Sequence, residues 1–274
     1  MKQTRALAVA SFVSVLWAAP AALAQDPPPA ASPAQTEQKS PLADVAFMSG
    51  YRFHLSATSL QADDPRFRWD CYFGGDIDLV DYRYGRLNFL ADYEVMLGDE
   101  MRAVDPNHGN YYLDLSASVR KGSAEVQTIF HHVSRHLGDR ANRTSISWNT
   151  LGVKAIGTFA TGPTTVTYNG RVSKVLQAAF VDYTWEAGGG GELQYRVSRR
   201  FGVLARADLN MVGVDRAVGG RDSQMGAKVE GAVRLYGTGA GVEAFAGWEQ
   251  RVDPYPTERQ THSWVIFGFR FISR

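Results

Sequence analysis

The chain has 274 residues, with 29 Lys and Arg against 28 Asp and Glu, a formal charge of +1. That balance excludes the basic surface that a nucleic-acid partner requires, and the lone Cys71 excludes an intramolecular disulfide or a cysteine-based metal site. After the N-terminal segment no stretch approaches the ~20 apolar residues of a membrane helix. This leaves membrane barrels open, because only alternate residues of their strands face lipid.

Lys2 and Arg5 make a basic start, Ala6 to Ala22 is apolar, and Ala22-Leu23-Ala24 is a small-residue cleavage site. Residues 1–24 therefore read as a secretory signal peptide, removed before folding. Residues 25–42, rich in Pro, Ala, Ser and Gln without periodicity, read as a flexible linker, and 43–274 as one large β domain.

From Val45 onward apolar and polar residues alternate with the period of two that marks strands. The first strand, about 45–59, sets Tyr51, Phe53, Leu55 and Ala57 against Arg52, His54, Ser56 and Thr58. The second, about 68–82, sets Phe73, Ile77 and Leu79 against Asp70, Asp76 and Asp78. A short turn at Tyr84-Gly85 leads to the third (86–97), a long loop over 99–108 to the fourth (110–120), and Lys121-Gly122-Ser123 into a central pair, AEVQTIFHHVSRH and ISWNTLGVKAIGTF. A seventh strand spans about 164–174, with 175–182 read as loop. The eighth, 183–198, contains Gly188 to Gly191, a run that predicts a bulge or sharp bend. A ninth strand carries Val203 to Met211, a tenth Ala227 to Leu235 and an eleventh Val242 to Trp248. A last, aromatic strand presents Val265, Phe267, Phe269 and Phe271 on one face.

The parse gives about twelve strands, with short connections at one end and longer, charged ones at the other. That asymmetry, the even count and the aromatic last strand predict an all-β fold, a transmembrane antiparallel up-and-down β-barrel in the outer membrane. The rival is a secreted β-sandwich or lipocalin-like barrel with its apolar faces turned inward. On the membrane reading Arg, Asp and Glu line a polar lumen, which suits a structural barrel or a narrow pore.

The chemistry-bearing residues sit on the wrong face for a core. His132, Ser134 and Asn149 lie on the apolar faces of the central pair, near its looped end. An antiparallel hairpin sets His132 opposite Leu151 or Asn149, depending on a two-residue choice of register, so that Asn149 faces His132 or Ser134 at about 5 Å between β-carbons. A hydroxyl, an imidazole and an orienting carboxamide would then share one outward patch, the logic of a nucleophile–base–orienter triad. His131, on the opposite face, is expected to hydrogen-bond Glu125 or another lumenal residue. His132, His136 and Asp139 have no known metal-ligand spacing, and Asp99, Glu100 and Asp105 read as solvated loop charges. Gly188 to Gly191 is no phosphate loop, since no helix pattern follows it.

His132-x-Ser134 followed by Ser147-Trp148-Asn149 resembles outer membrane phospholipase A, a calcium-dependent twelve-stranded barrel with its site on the lipid-facing outside. The resemblance implies Ser134 as nucleophile, His132 as base and Asn149 as the residue orienting the imidazole, with phospholipid esters as substrate and calcium as cofactor. The His-x-Ser element is also similar to lipid A deacylase barrels. The departures are Arg135-His136, where the phospholipases have Asn-Gly, and a longer loop before Ser147. The run HVSRHLGD is closer to a group of bacterial outer-membrane barrels that carry His-x-Ser-x-His-Leu-Gly-Asp. Outer-membrane lipids are the expected partners on either reading, with a homodimer as a further expectation.

Overall fold

The computed structural model describes residues 45–138 and 144–273; the expected signal peptide and linker lie outside the described residues. Twelve antiparallel strands follow one another around a closed barrel: β1 (Val45–Leu60), β2 (Trp69–Tyr82), β3 (Gly85–Gly98), β4 (Asp105–Lys121), β5 (Ala124–Leu137), β6 (Ile146–Thr161), β7 (Thr164–Ala179), β8 (Tyr183–Arg196), β9 (Phe201–Val214), β10 (Gln224–Tyr236), β11 (Ala240–Val252) and β12 (Thr261–Ser273). The last strand closes on the first, with Leu55 opposite Phe271 and Ala57 opposite Phe269. Closure leaves no edge strand to be covered. Turns of two to four residues join the strands at one end, and at the other the chain runs through longer loops such as 61–68, 215–223 and 253–260. Both β1 and β12 have their outer ends at the short-turn rim.

Strand β4 begins at Asp105, five residues before its alternating pattern, because Asp105, Asn107 and His108 are polar and yet fully buried. A register shift between Met96 and Leu97 admits them into the ladder. Strand β7 runs to Ala179, so most of the expected 175–182 loop is strand, and the connection to β8 is only 180–182. The glycine run makes no bulge: Gly188 to Gly191 pair in unbroken register with β7 and β9, and the irregularity in β8 falls between Tyr183 and Trp185 instead. Gly190 answers a space requirement, since a Cβ there would run into the Asp208 carboxylate.

Which face is buried settles the class. Outward Leu209 and Phe269 are 56% and 42% exposed, whereas inward Glu243 and Glu230 are 0% and 5% exposed. A soluble barrel inverts that arrangement. An apolar wall around a charged interior is the lipid-facing surface of a transmembrane barrel. The strands, at 13 to 17 residues, exceed the ~9–11 needed to cross the hydrocarbon, so the wall continues past the membrane core. Replacing Leu209 by arginine should therefore destabilise the barrel in lipid by ~2–4 kcal/mol, whereas Asn210→Arg, one residue on and facing a lumenal cavity of about 320 Å³, should cost far less. Folded fraction in vesicles against urea measures the difference; equal tolerance of both contradicts the orientation.

The lumen is packed with charge. Arg251 reaches Asp70, Glu94 at 2.7 Å and Glu249 at 2.7 Å, and Arg270 reaches Glu243 at 2.8 Å and Glu230 at 3.2 Å. Arg206 adds a 2.9 Å bond to Glu230. An inward apolar cluster, including Phe67, Met96, Trp264 and Ile266, also holds Tyr255 of the 253–260 loop.

That loop is tied down at the mouth. Arg135 donates to the carbonyls of Asp253 (2.9 Å) and Pro254 (3.0 Å), and the Tyr183 hydroxyl donates to the Asp253 carboxylate at 2.6 Å. Arg221 bridges Asp253 and Asp182, while Arg66 bonds Asp64 and Glu258 and lies 4.6 Å over the Tyr255 ring. The Arg66 hydrogen bond holds the Asp64 carboxyl below its ordinary value. Burial would raise that of Asp182, but hydrogen bonds from Arg221 outweigh it and the net direction is down. Asp182, which also faces Arg259 of the docked loop at 3.6 Å, stabilises the docking above its free value of about 3.9, and that stabilisation is lost as pH falls through the lower folded value. A fluorophore on Thr257→Cys, in a Cys71→Ser background, should report an unchanged environment from pH 7 to about 4 and release below it. Release beginning above pH 5 contradicts the assignment.

Candidate functional site

The register of β5 with β6 decides what the outward patch contains. His132 pairs with Asn149 and Ser134 with Ser147, so of the two registers the sequence allowed, the one joining histidine to asparagine forms. His132 and Ser134 are half-buried on the outer wall, and His136, two residues on, is exposed.

The His132 Nδ1 and Asn149 Oδ1 atoms are 2.6 Å apart. A carboxamide oxygen only accepts, so Nδ1 carries the proton and the Nε2 edge of a neutral His132 holds the lone pair. The Asn149 amide in turn donates to Gln177 Oε1 at 3.3 Å. Gln177 belongs to the part of β7 that lacks clean alternation, which is why periodicity missed it. A β6–β7 register shift between Asn149 and Thr150 sits directly beside the site, the kind of irregularity that re-aims a side chain.

Ser134 does not complete the expected triad. Its hydroxyl lies 2.9 Å from His136 Nε2 and makes its hydrogen bond there, not with His132. The structure thus brings His132 and Asn149 together, pairs Ser134 with a histidine the triad did not include, and keeps all four on the outside of the barrel. His136 in turn stands edge-on to Tyr111, with ring centroids 5.5 Å apart. From there a row of rings continues around the rim, Tyr111 to Tyr93 at 4.6 Å and Tyr93 to Phe73 at 5.3 Å. Gly109, the register partner of His136, keeps that row continuous, because a Cβ there would collide with the Tyr93 ring. Aromatic girdles of this kind mark the membrane–water interface.

Inside, His131 bonds Asp114, not Glu125, whose carboxylate is taken by Arg86 and Gln127. Asp99 pairs with Arg68 at 2.9 Å. Among the described residues no group of three His, Cys, Asp or Glu is assembled to hold a metal ion, and Asp139 lies outside the described residues. The outward positions in register with Ser134 and His132 are Tyr111, Leu113, Ser147 and Asn149, with Gln177 beyond. Calcium favours several oxygen ligands, carboxylates above all, and this set, which has no carboxylate, does not fit it.

No protein-family model matches the chain, and no curated protein does. Solved structures do. The Salmonella typhi outer membrane phospholipase dimer with bound calcium superposes with a TM-score of 0.50 at 12% identity, over 81% of this chain and 90% of that one. An active-site mutant of Escherichia coli outer membrane phospholipase A gives 0.50 at 11% identity, over 87% and 94%. LpxR from Salmonella typhimurium gives 0.49 at 8% identity, over 81% and 99%. The chain has the fold of an outer-membrane β-barrel. At such identities the likeness carries the fold of this outer-membrane barrel alone.

Proposed function

We propose that the chain, exported behind residues 1–24, sits in the outer membrane and hydrolyses lipid esters from its lipid-facing wall. The observation that carries this reading is the outward cluster in which the Ser134 hydroxyl meets His136 at 2.9 Å beside the 2.6 Å His132–Asn149 pair. A hydroxyl, two imidazoles and a carboxamide gathered on an otherwise apolar wall are the residue types that ester hydrolysis uses. Ser134 supplies the nucleophile, a neighbouring imidazole takes its proton, and Asn149 fixes the His132 ring. The aromatic row beside the patch supports a depth near the meeting of headgroups and acyl chains, where ester bonds lie. The substrates are outer-membrane phospholipid or lipid A, and a dimer is compatible with the same wall. The purified, folded barrel in mixed micelles should release fatty acid from one of the two lipid classes, without a requirement for calcium. Absence of release from both contradicts the reading and favours the second one, a structural barrel, which the lumenal pairing of Arg251 with three carboxylates supports.

A further inference from the structure

Resting on the hydrolase reading, we infer that His136, rather than His132, is the general base for Ser134. A base must lie within about 2.6–3.2 Å of the proton it removes. His136 Nε2 stands 2.9 Å from the Ser134 hydroxyl, whereas the hydrogen bond found for His132 is to Asn149. Ser134 and His136 are two apart on β5 and therefore share the outer face. The Tyr111 ring, edge-on to the imidazole, backs His136 from the neighbouring strand. This division of labour differs from the one that the His-x-Ser resemblance implies, and it gives the second histidine of the run His132-x-Ser134-x-His136 a task.

The chemistry balances with one imidazole. Neutral His136, with its proton on Nδ1, takes the Ser134 proton on Nε2 as Oγ attacks the ester carbonyl carbon. The carbon–oxygen bond to the alcohol breaks, and His136 returns the proton to that oxygen, leaving acyl-Ser134 and free alcohol. Water then gives a proton to His136 and attacks the acyl carbon. Ser134 Oγ departs and is reprotonated from His136, so the sum is ester plus water giving acid plus alcohol. His132, its Nδ1–H committed to Asn149, is a positioning residue that keeps the neighbouring wall polar and ordered.

The test is covalent labelling of Ser134 by a fluorophosphonate, followed by mass spectrometry alongside fatty-acid release, on full-length barrel whose folding is checked by circular dichroism. His136→Ala and His136→Gln should each slow labelling and release by about a hundredfold or more. The glutamine variant keeps a side chain of similar reach without a base. His132→Ala should slow them less than tenfold. A loss at His132 as large as that at His136, or labelling within threefold of wild type in His136→Gln, overturns the inference while leaving the hydrolase standing. Wild-type protein that neither labels at Ser134 nor releases fatty acid overturns the hydrolase reading itself, and the inference with it.

Discussion

Replacing Arg251 by leucine is expected to destabilise the barrel by about 3–5 kcal/mol. The guanidinium reaches Asp70 on β2, Glu94 on β3 and Glu249 on its own strand, and all three carboxylates are buried. The Tyr72 and Tyr112 hydroxyls and the Asn110 amide also converge on Glu94, so the network crosses from β11 to β4. Leucine fills part of the space but leaves three acidic groups facing one another out of bulk water, and breaking a buried pair from one side costs more than the pair contributed. Adding Glu94→Gln should recover part of the loss, because it removes one of the stranded charges. Urea unfolding in detergent or vesicles measures both. A cost under about 1 kcal/mol would mean that water solvates these carboxylates individually, and that the lumen is wetter than its burial indicates.

Ser134→Ala is expected to remove lipid-ester hydrolysis by at least about a thousandfold, with folding unchanged. The hydroxyl is half-buried on the outer wall, and its hydrogen bond is to His136, so alanine deletes the nucleophile and leaves little unsatisfied. Asn149→Ala should leave measurable turnover, since holding a ring in place contributes less than supplying the attacking atom. Combining Ser134→Ala with Asn149→Ala should cost no more than the first alone, because without the nucleophile no turnover remains for Asn149 to affect. Full additivity would indicate that Asn149 acts on binding or folding and not on the chemistry of Ser134.

The barrel was legible in the sequence because its signal is physical and repeated: period-two alternation, short and long connections in turn, and charges on the face opposite the aromatic one. Legibility failed where polar residues are buried in the ladder. Asp105, Asn107 and His108 read as loop and are strand, and Gln177 escaped notice because the register shift beside Asn149 spoils the alternation on which the reading relied. Gly188 to Gly191 read as a bend, whereas they pair in unbroken register and the missing side chain of Gly190 makes room for lumenal Asp208. At the site, sequence spacing was enough to place His132, Ser134 and Asn149 on one face and to narrow the register to two choices. It could not reveal which histidine the serine meets, because His132 and His136 are equally spaced from Ser134 and only side-chain geometry separates them. The inward cluster of Phe67, Met96 and Trp264 was also hidden, since a lumen read as polar gave no reason to seek apolar packing inside it.

The measurement that bears most directly on the lipid-facing hydrolase is fatty-acid release by the folded barrel reconstituted in vesicles of phospholipid, with and without lipid A, run side by side with Ser134→Ala. Steady release by the wild type and none above background by the variant is the expected result. Release that survives Ser134→Ala, or a wild type as silent as the variant on both lipids, would contradict it.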